Sequence, residues 1–383
     1  MEFDFTWLLW GLPAAFALGW LASRLDMRQW RFESKQDPKA YFRGLNHLLN
    51  EQQDQAIDAF IEAVQNDPDT SELHFALGNL FRRRGDYDRA VRVHEHLLQR
   101  GDLSHKDRER AQHALAMDFL KAGLLDRAEA ALLKLENTPF ANEARLARLA
   151  IYERSRDWER ASEVAALLND TQHGSFQPRQ AHYQCERAEA LRRQGNTTEA
   201  LALLETLTQR HPESARGWIA LADLRQSLGN TQGGLDALLQ LARHAPAHLP
   251  LVAHSLAQWS RLCQREEDAL HTLRAYAAAH LPSLDVTQAM ATLAPSPAEG
   301  RALYVEHLRR EPSLVAAALW LAGERLNADE QSERPIKEAL ERAAEPLKRY
   351  RCAACGFEAR QYFWHCPGCQ AWDSYPPKRV EEL

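Results

Sequence analysis

A helical period of thirty-four residues constrains this chain more than any other feature. Between residues 37 and 347 Ala, Leu, Arg and Glu dominate, and apolar positions return at intervals of three and four, the spacing of amphipathic helices. Small residues and prolines recur one period apart: Gly44 as Gly78, Ala56 as Ala90, Ala200 as Gly234, and Pro212 as Pro246. Such a period predicts stacked helical hairpins, none of which buries its apolar face alone. Gly85, Gly123, Gly195 and Gly229 stand where first helices should end, and predict tight left-handed turns there. Longer interruptions at 99–107, 173–178 and 294–297 predict loops inside one array, because the period resumes after each. The expected fold is all-α, a superhelix whose concave face suits the binding of other proteins.

The register resembles the tetratricopeptide repeat. The first unit carries Gly44, Ala56, Phe60, Ala63 and Pro68, and the second carries Leu77, Gly78, Phe81 and Ala90 without the closing Pro. Later units run through Ala188, Ala200 and Pro212, then Trp218, Leu221, Ala222 and Pro246. About seven to nine units are expected, the last atypical as capping repeats are.

Residues 348–376 obey different rules. Cys352, Cys355, Cys366 and Cys369 form two C-x-x-C pairs, while the chain's other two cysteines, Cys185 and Cys263, stand far upstream. That clustering argues for a metal rather than a disulfide framework or a redox dithiol. Four soft thiolates make a closed tetrahedral site for one iron or zinc ion, with no position left for substrate, so the expected role is structural. Gly356 follows the second ligand and predicts a positive φ, and Pro367 and Gly368 are expected to serve the second turn. His365 adjoins a ligand and reads as a bystander. A module of about thirty residues cannot bury enough surface to fold unaided, so the metal must close it. Its crowded aromatics, among them Tyr350, Tyr362, Trp364, Trp372 and Tyr375, are expected to dock on the rest of the chain. Residues 377–383 read as a tail.

At the other end, residues 5–22 form an apolar run whose only polar side chain is Thr6. As a helix it covers about 27 Å, which suffices to cross a bilayer. A transmembrane helix over 1–23 is expected, followed by a basic juxtamembrane linker over 24–36 bearing Arg24, Arg28, Arg31 and Lys35. The positive-inside rule then leaves the amino terminus outside and the bulk of the chain in the cytoplasm. A cleaved signal peptide is the competing reading; Glu2 and Asp4, where such a signal carries Lys or Arg, speak against it. Gly11 and Gly19 would admit a neighbouring membrane helix, from another protein or a second copy.

Signatures of catalysis are missing. His94 and His96 lie two apart and cannot share a helix face as the metalloprotease motif requires, and neither a P-loop nor a nucleophile elbow occurs. The expectation is a non-enzyme. Lys348, Arg349, Arg351, Lys378 and Arg379 collar the metal module, yet the net charge is −6, so nucleic acid is not an expected partner. Arg82, Arg83 and Arg84, and Arg192 and Arg193, read as solvated helix faces or as part of a binding groove.

One membrane helix, a tetratricopeptide array and a terminal module running from Tyr350 and Cys352 to Cys369 and Trp372 together resemble the lipopolysaccharide assembly protein B family of Gram-negative bacteria. The resemblance implies a rubredoxin-like module packed on the repeats, with Cys352, Cys355, Cys366 and Cys369 as ligands. A short inter-pair segment, and Gln370 where a rubredoxin knuckle has Gly, favour a structural metal over electron transfer. It also implies a single-pass protein of the bacterial inner membrane with a periplasmic amino terminus. The implied activity is that of an adaptor promoting degradation of the deacetylase that commits precursor to lipid A (LpxC-type) by the membrane ATP-dependent protease (FtsH-type). The alternative is a tethered scaffold for lipopolysaccharide synthesis or transport proteins.

Overall fold

The computed structural model describes residues 15–20, 40–168, 175–324 and 330–383. The expected transmembrane helix and its linker fall almost wholly outside these residues. Of that stretch only 15–20 is described, as helix, with Phe16, Leu18 and Trp20 exposed. Among the described residues no helix is long and apolar enough to cross a membrane.

The chain divides at Ser155 into two compact units, a boundary that the unbroken helical period does not announce. The first holds α1 (residues 40–49), α2 (Gln53–Asn66), α3 (Ser71–Arg84), α4 (Tyr87–Gln99), α5 (His105–Lys121), α6 (Leu125–Leu133) and α7 (Ala141–Ser155). From α2 on, each helix packs on the next, and α3 also meets α5, the pattern of stacked hairpins. Its core is built from the residues that define the period: Ala56, Phe60, Ala63, Leu77, Phe81 and Ala90 are all buried together. Small residues are required where helices cross. A Cβ on Gly44 would lie 2.8 Å from the Phe60 ring, and one on Gly78 would lie 2.5 Å from the His94 ring.

His94 cannot retreat from Gly78, because its Nδ1–H donates to the Asp118 carboxylate at 2.5 Å and both side chains are fully buried. Arg82 completes the cluster by donating to the other Asp118 oxygen at 2.9 Å. A buried carboxylate is tolerated only with such partners. So Arg82, which on sequence alone reads as solvated or groove-lining, is a structural counter-ion, and Arg84 pairs with Asp54 and Asp86.

The second unit holds α8 (Trp158–Leu168), α9 (Gln177–Arg193), α10 (Thr197–Arg210), α11 (Ala215–Ser227), α12 (Thr231–His244), a 3-10 turn (Pro246–Val252), α13 (Ala253–Leu262), α14 (Glu266–Ala279), α15 (Leu284–Leu293), α16 (Pro297–Arg310), α17 (Leu314–Ala322) and α18 (Glu330–Ala344), followed by the metal module. Ala188, Ala200, Leu221, Ala222, Leu238 and Trp259 belong to one continuous core. Gly234 meets the Ala222 carbonyl at 3.1 Å from where its Cβ would stand, as the period predicts for a crossing point. Gly85, Gly123, Gly195 and Gly229 all take positive φ, between 78° and 94°, where the turns are expected. Cys185 is a buried core residue, its thiol pushed up to about 12 by burial and so inert. Cys263 is half-buried.

Gly78→Ala should destabilise the first unit. Overpacking against a pinned ring costs roughly 1–3 kcal/mol, which outweighs the gain in helix propensity of about 1 kcal/mol. Gly101 faces open space, and Gly101→Ala should leave stability unchanged. Urea denaturation followed by helical circular dichroism separates the two.

Candidate metal centre

Two knuckles present the four sulfurs. In the first, Tyr350–Arg351 (β1) pairs antiparallel with Glu358–Ala359 (β2), and the Cys352 N–H donates to the Phe357 carbonyl at 2.9 Å to close the loop between them. Gly356 donates back to the Cys352 carbonyl at 2.9 Å with φ +77°, as its place after the second ligand predicts. The second knuckle repeats this design: Cys366 N–H donates to Ala371, and Gln370 N–H to Cys366. Here the left-handed residue is Gln370, at φ +59°, not Gly368. Gln370 follows the fourth ligand as Gly356 follows the second, so the geometry is conserved between knuckles although the residue is not. A non-glycine in that region costs about 1–2 kcal/mol.

The sulfurs converge. All four lie within 4.8 Å of one another, with Cys352 and Cys369 at 3.8 Å and Cys355 and Cys366 at 3.7 Å. Four ligands at a metal–sulfur distance of about 2.3 Å define a tetrahedron with edges of about 3.8 Å, so the spacing fits one thiophilic ion. The protonation balance fits as well. Burial opposes ionisation of Cys352, but the Ser374 hydroxyl and the N–H groups of Cys355 and Ala354 favour the thiolate and hold its pKa near 6. Cys355 is pushed up to about 12: the Phe357 N–H favours its thiolate, but desolvation and the three sulfurs beside it prevail. Four thiolates so close need a cation to coexist, and bound there it would cross-link the two knuckles. His365 is no ligand; its ring stacks on Trp372 at 4.3 Å.

The aromatic faces dock on the helices of the same unit, as expected for a module too small to stand alone. Trp372 stacks on His182 of α9 at 4.9 Å and meets Trp158 of α8 and Tyr183 edge-on. His182 Nε2–H donates to both oxygens of Asp373, at 2.8 and 2.9 Å. Trp364 packs against His248 and the main core of the unit. Neither His182 nor Asp373 carries a sequence signal of its own; only the surplus of aromatics around the cysteines announces a docking face.

The last residues are a clamp. Arg379 makes a two-pronged ion pair with Asp285 of α15, at 2.8 and 3.0 Å, and lies 4.1 Å above the Tyr350 ring. Glu382 accepts from the Leu284 N–H at 2.7 Å, and Glu381 accepts from Ser313 Oγ at 2.7 Å and from the N–H groups of Leu314 and Val315. Two adjacent carboxylates thus cap the amino ends of α15 and α17, where free N–H groups and the helix dipole favour negative charge. Burial raises the Glu382 pKa, against the N–H groups of Leu284 and Arg379. Three more residues of the basic collar are engaged: Arg349 and Arg351 pair with Glu358, and Lys348 with Glu345.

Replacing Glu381 and Glu382 together by Gln should cost about 1 kcal/mol per cap, read as a lower thermal midpoint. Chelating the metal, or Cys352→Ser, should lower the midpoint further and flatten the near-ultraviolet dichroism of the packed aromatics.

Comparison with known proteins agrees with both halves of this description. A family model described as a rubredoxin metal binding domain matches residues 350–376, and tetratricopeptide repeat models match residues 73–109 and 186–224. Lipopolysaccharide assembly protein B of Escherichia coli (strain K12) is 29% identical over 392 residues, covering 96% of this chain and 97% of that protein. The protein of the same name in Haemophilus influenzae is 26% identical, covering 97% of this chain and 98% of that protein. A solved tetratricopeptide repeat protein from Parabacteroides merdae is 14% identical with a TM-score of 0.34, covering 67% of this chain and 98% of that one. From the repeats to the last knuckle, the chain is thus similar to lipopolysaccharide assembly protein B, in its helical array and its four-cysteine module alike.

Proposed function

We propose that this protein is a non-enzymatic regulator of lipopolysaccharide assembly, an adaptor that promotes proteolysis of the deacetylase committing precursor to lipid A. The observation that carries this reading is the near full-length similarity to lipopolysaccharide assembly protein B, which takes in the repeats and the four-cysteine module together. Tetratricopeptide repeats are an architecture for holding other proteins. The four sulfurs lie close enough to share one ion, which would leave no open position for a substrate. Both support an adaptor over a catalyst.

In this account the apolar run at 5–22 anchors the chain in the bacterial inner membrane, with the repeats on the cytoplasmic side. Confinement to the plane of a membrane protease raises the effective concentration of adaptor and protease for one another without any new contact. The repeats hold the deacetylase, and the metal module keeps α9, α15 and α17 in place.

The test follows the deacetylase's half-life in cells depleted of this protein, then restored with the full chain or with residues 31–383. Depletion should lengthen the half-life several-fold, and only the full chain should restore it. An unchanged half-life would contradict the adaptor and leave a scaffold for lipopolysaccharide synthesis or transport proteins as the account to pursue.

A further inference from the structure

The metal module covers only part of the helical face on which it sits. His182 of α9 and Arg216 of α11 stand one period apart, and both touch Trp372, so the module occupies equivalent places near the amino ends of the two helices. Beyond it a cleft of about 490 Å³ runs on between the same helices. Ala188, Glu189 and Arg192 line one side, Ile219 and Asp223 the other, and the module's Trp364 also contributes to its lining. The volume lies within the usual range for a binding site.

The charges in this cleft are unevenly satisfied. Glu189 and Asp223 are equivalent residues, thirty-four apart. Glu189 is engaged on both oxygens, by Arg192 at 2.7 and 2.8 Å and by Arg193 at 2.9 Å. Arg216, which also borders the cleft, is held by Glu186 at 2.6 Å. Asp223 has no hydrogen-bond or ion-pair partner among the described residues. Asp223 is exposed at the cleft's surface, and the protein around it desolvates it enough to raise its carboxyl pKa. An unpaired carboxylate in a cleft also lined by Ile219 and an indole is complementary to a cation on an aliphatic stem.

We propose that this cleft binds an extended polypeptide segment through a Lys or Arg side chain, with Asp223 as its counter-ion and Trp364 packing beside its stem. The proposal rests on the adaptor reading only in taking the occupant to be a polypeptide. It gives the module a second role, because a wall of the site comes from the metal-closed knuckles and not from the repeats alone.

The test offers a positional-scanning library of blocked nine-residue peptides to the metal-loaded full chain. Peptides with Lys or Arg at one position should bind about tenfold more tightly than their Asp, Glu or Leu counterparts, the scale of one charge-assisted hydrogen bond. Asp223→Asn should abolish that preference and Asp223→Lys should invert it towards acidic peptides. Asp268→Asn, which removes an exposed acid outside the cleft, should change nothing. Absence of binding to folded, metal-loaded protein, binding without basic preference, or a preference that survives Asp223→Asn would overturn the proposal. Deacetylase half-life in cells carrying Asp223→Lys separates this from the adaptor reading. A normal half-life with unaltered peptide selectivity would sink the cleft and leave the adaptor standing.

Discussion

The four-cysteine module is fixed to the second unit by the seating of Trp372 and Asp373 against His182. A single histidine there stacks on the indole and donates to the carboxylate, and both partners come from the segment just after the fourth cysteine. That segment owes its shape to the knuckle before it, where Gln370 bears a left-handed backbone and the Asp373 N–H donates to the Trp364 carbonyl. The free energy of a metal bound there would therefore not be confined to thirty residues. It presents the two tryptophans, and these hold α8, α9 and the turn at Pro246–Val252.

The same logic extends to the end of the chain. Tyr350 opens the first knuckle, Arg379 lies over its ring, and from there Glu381 and Glu382 reach the amino ends of α17 and α15. Helix ends leave backbone donors that must be satisfied, and here a distant part of the chain satisfies them. Ser313 still caps α17 through the Ala316 N–H, with Glu381 added to it, whereas Ser283 makes no side-chain cap and Glu382 stands in its place. The terminal segment is thus bound into the helical stack at several separate points.

Much of this was legible in the sequence, because period and spacing are local properties. Gly78, Ala90 and Gly234 mark helix crossings, Gly85 and Gly229 mark turns, and the two C-x-x-C pairs mark a sulfur cluster; the fold bears out each. What local pattern could not show were pairings between residues far apart in the chain. Arg379 reads as part of a basic collar until Asp285, ninety-four residues away, is seen beside it. Arg82 reads as solvated until α5 brings Asp118 against it. Pro367 and Gly368 read as the residues that serve the second turn, but ligand register, not composition, decides, and the left-handed place falls on Gln370.

Metal in the four-cysteine site should hold helices of the repeat unit in place. Hydrogen exchange of the full chain, with metal bound and after chelation, tests it most directly. With the sulfurs metal-free, protection should fall in α9 and at the amino ends of α15 and α17, while α2 to α5 of the first unit keep theirs. Unchanged protection in α9 and α15 of protein shown to be metal-free would contradict the claim.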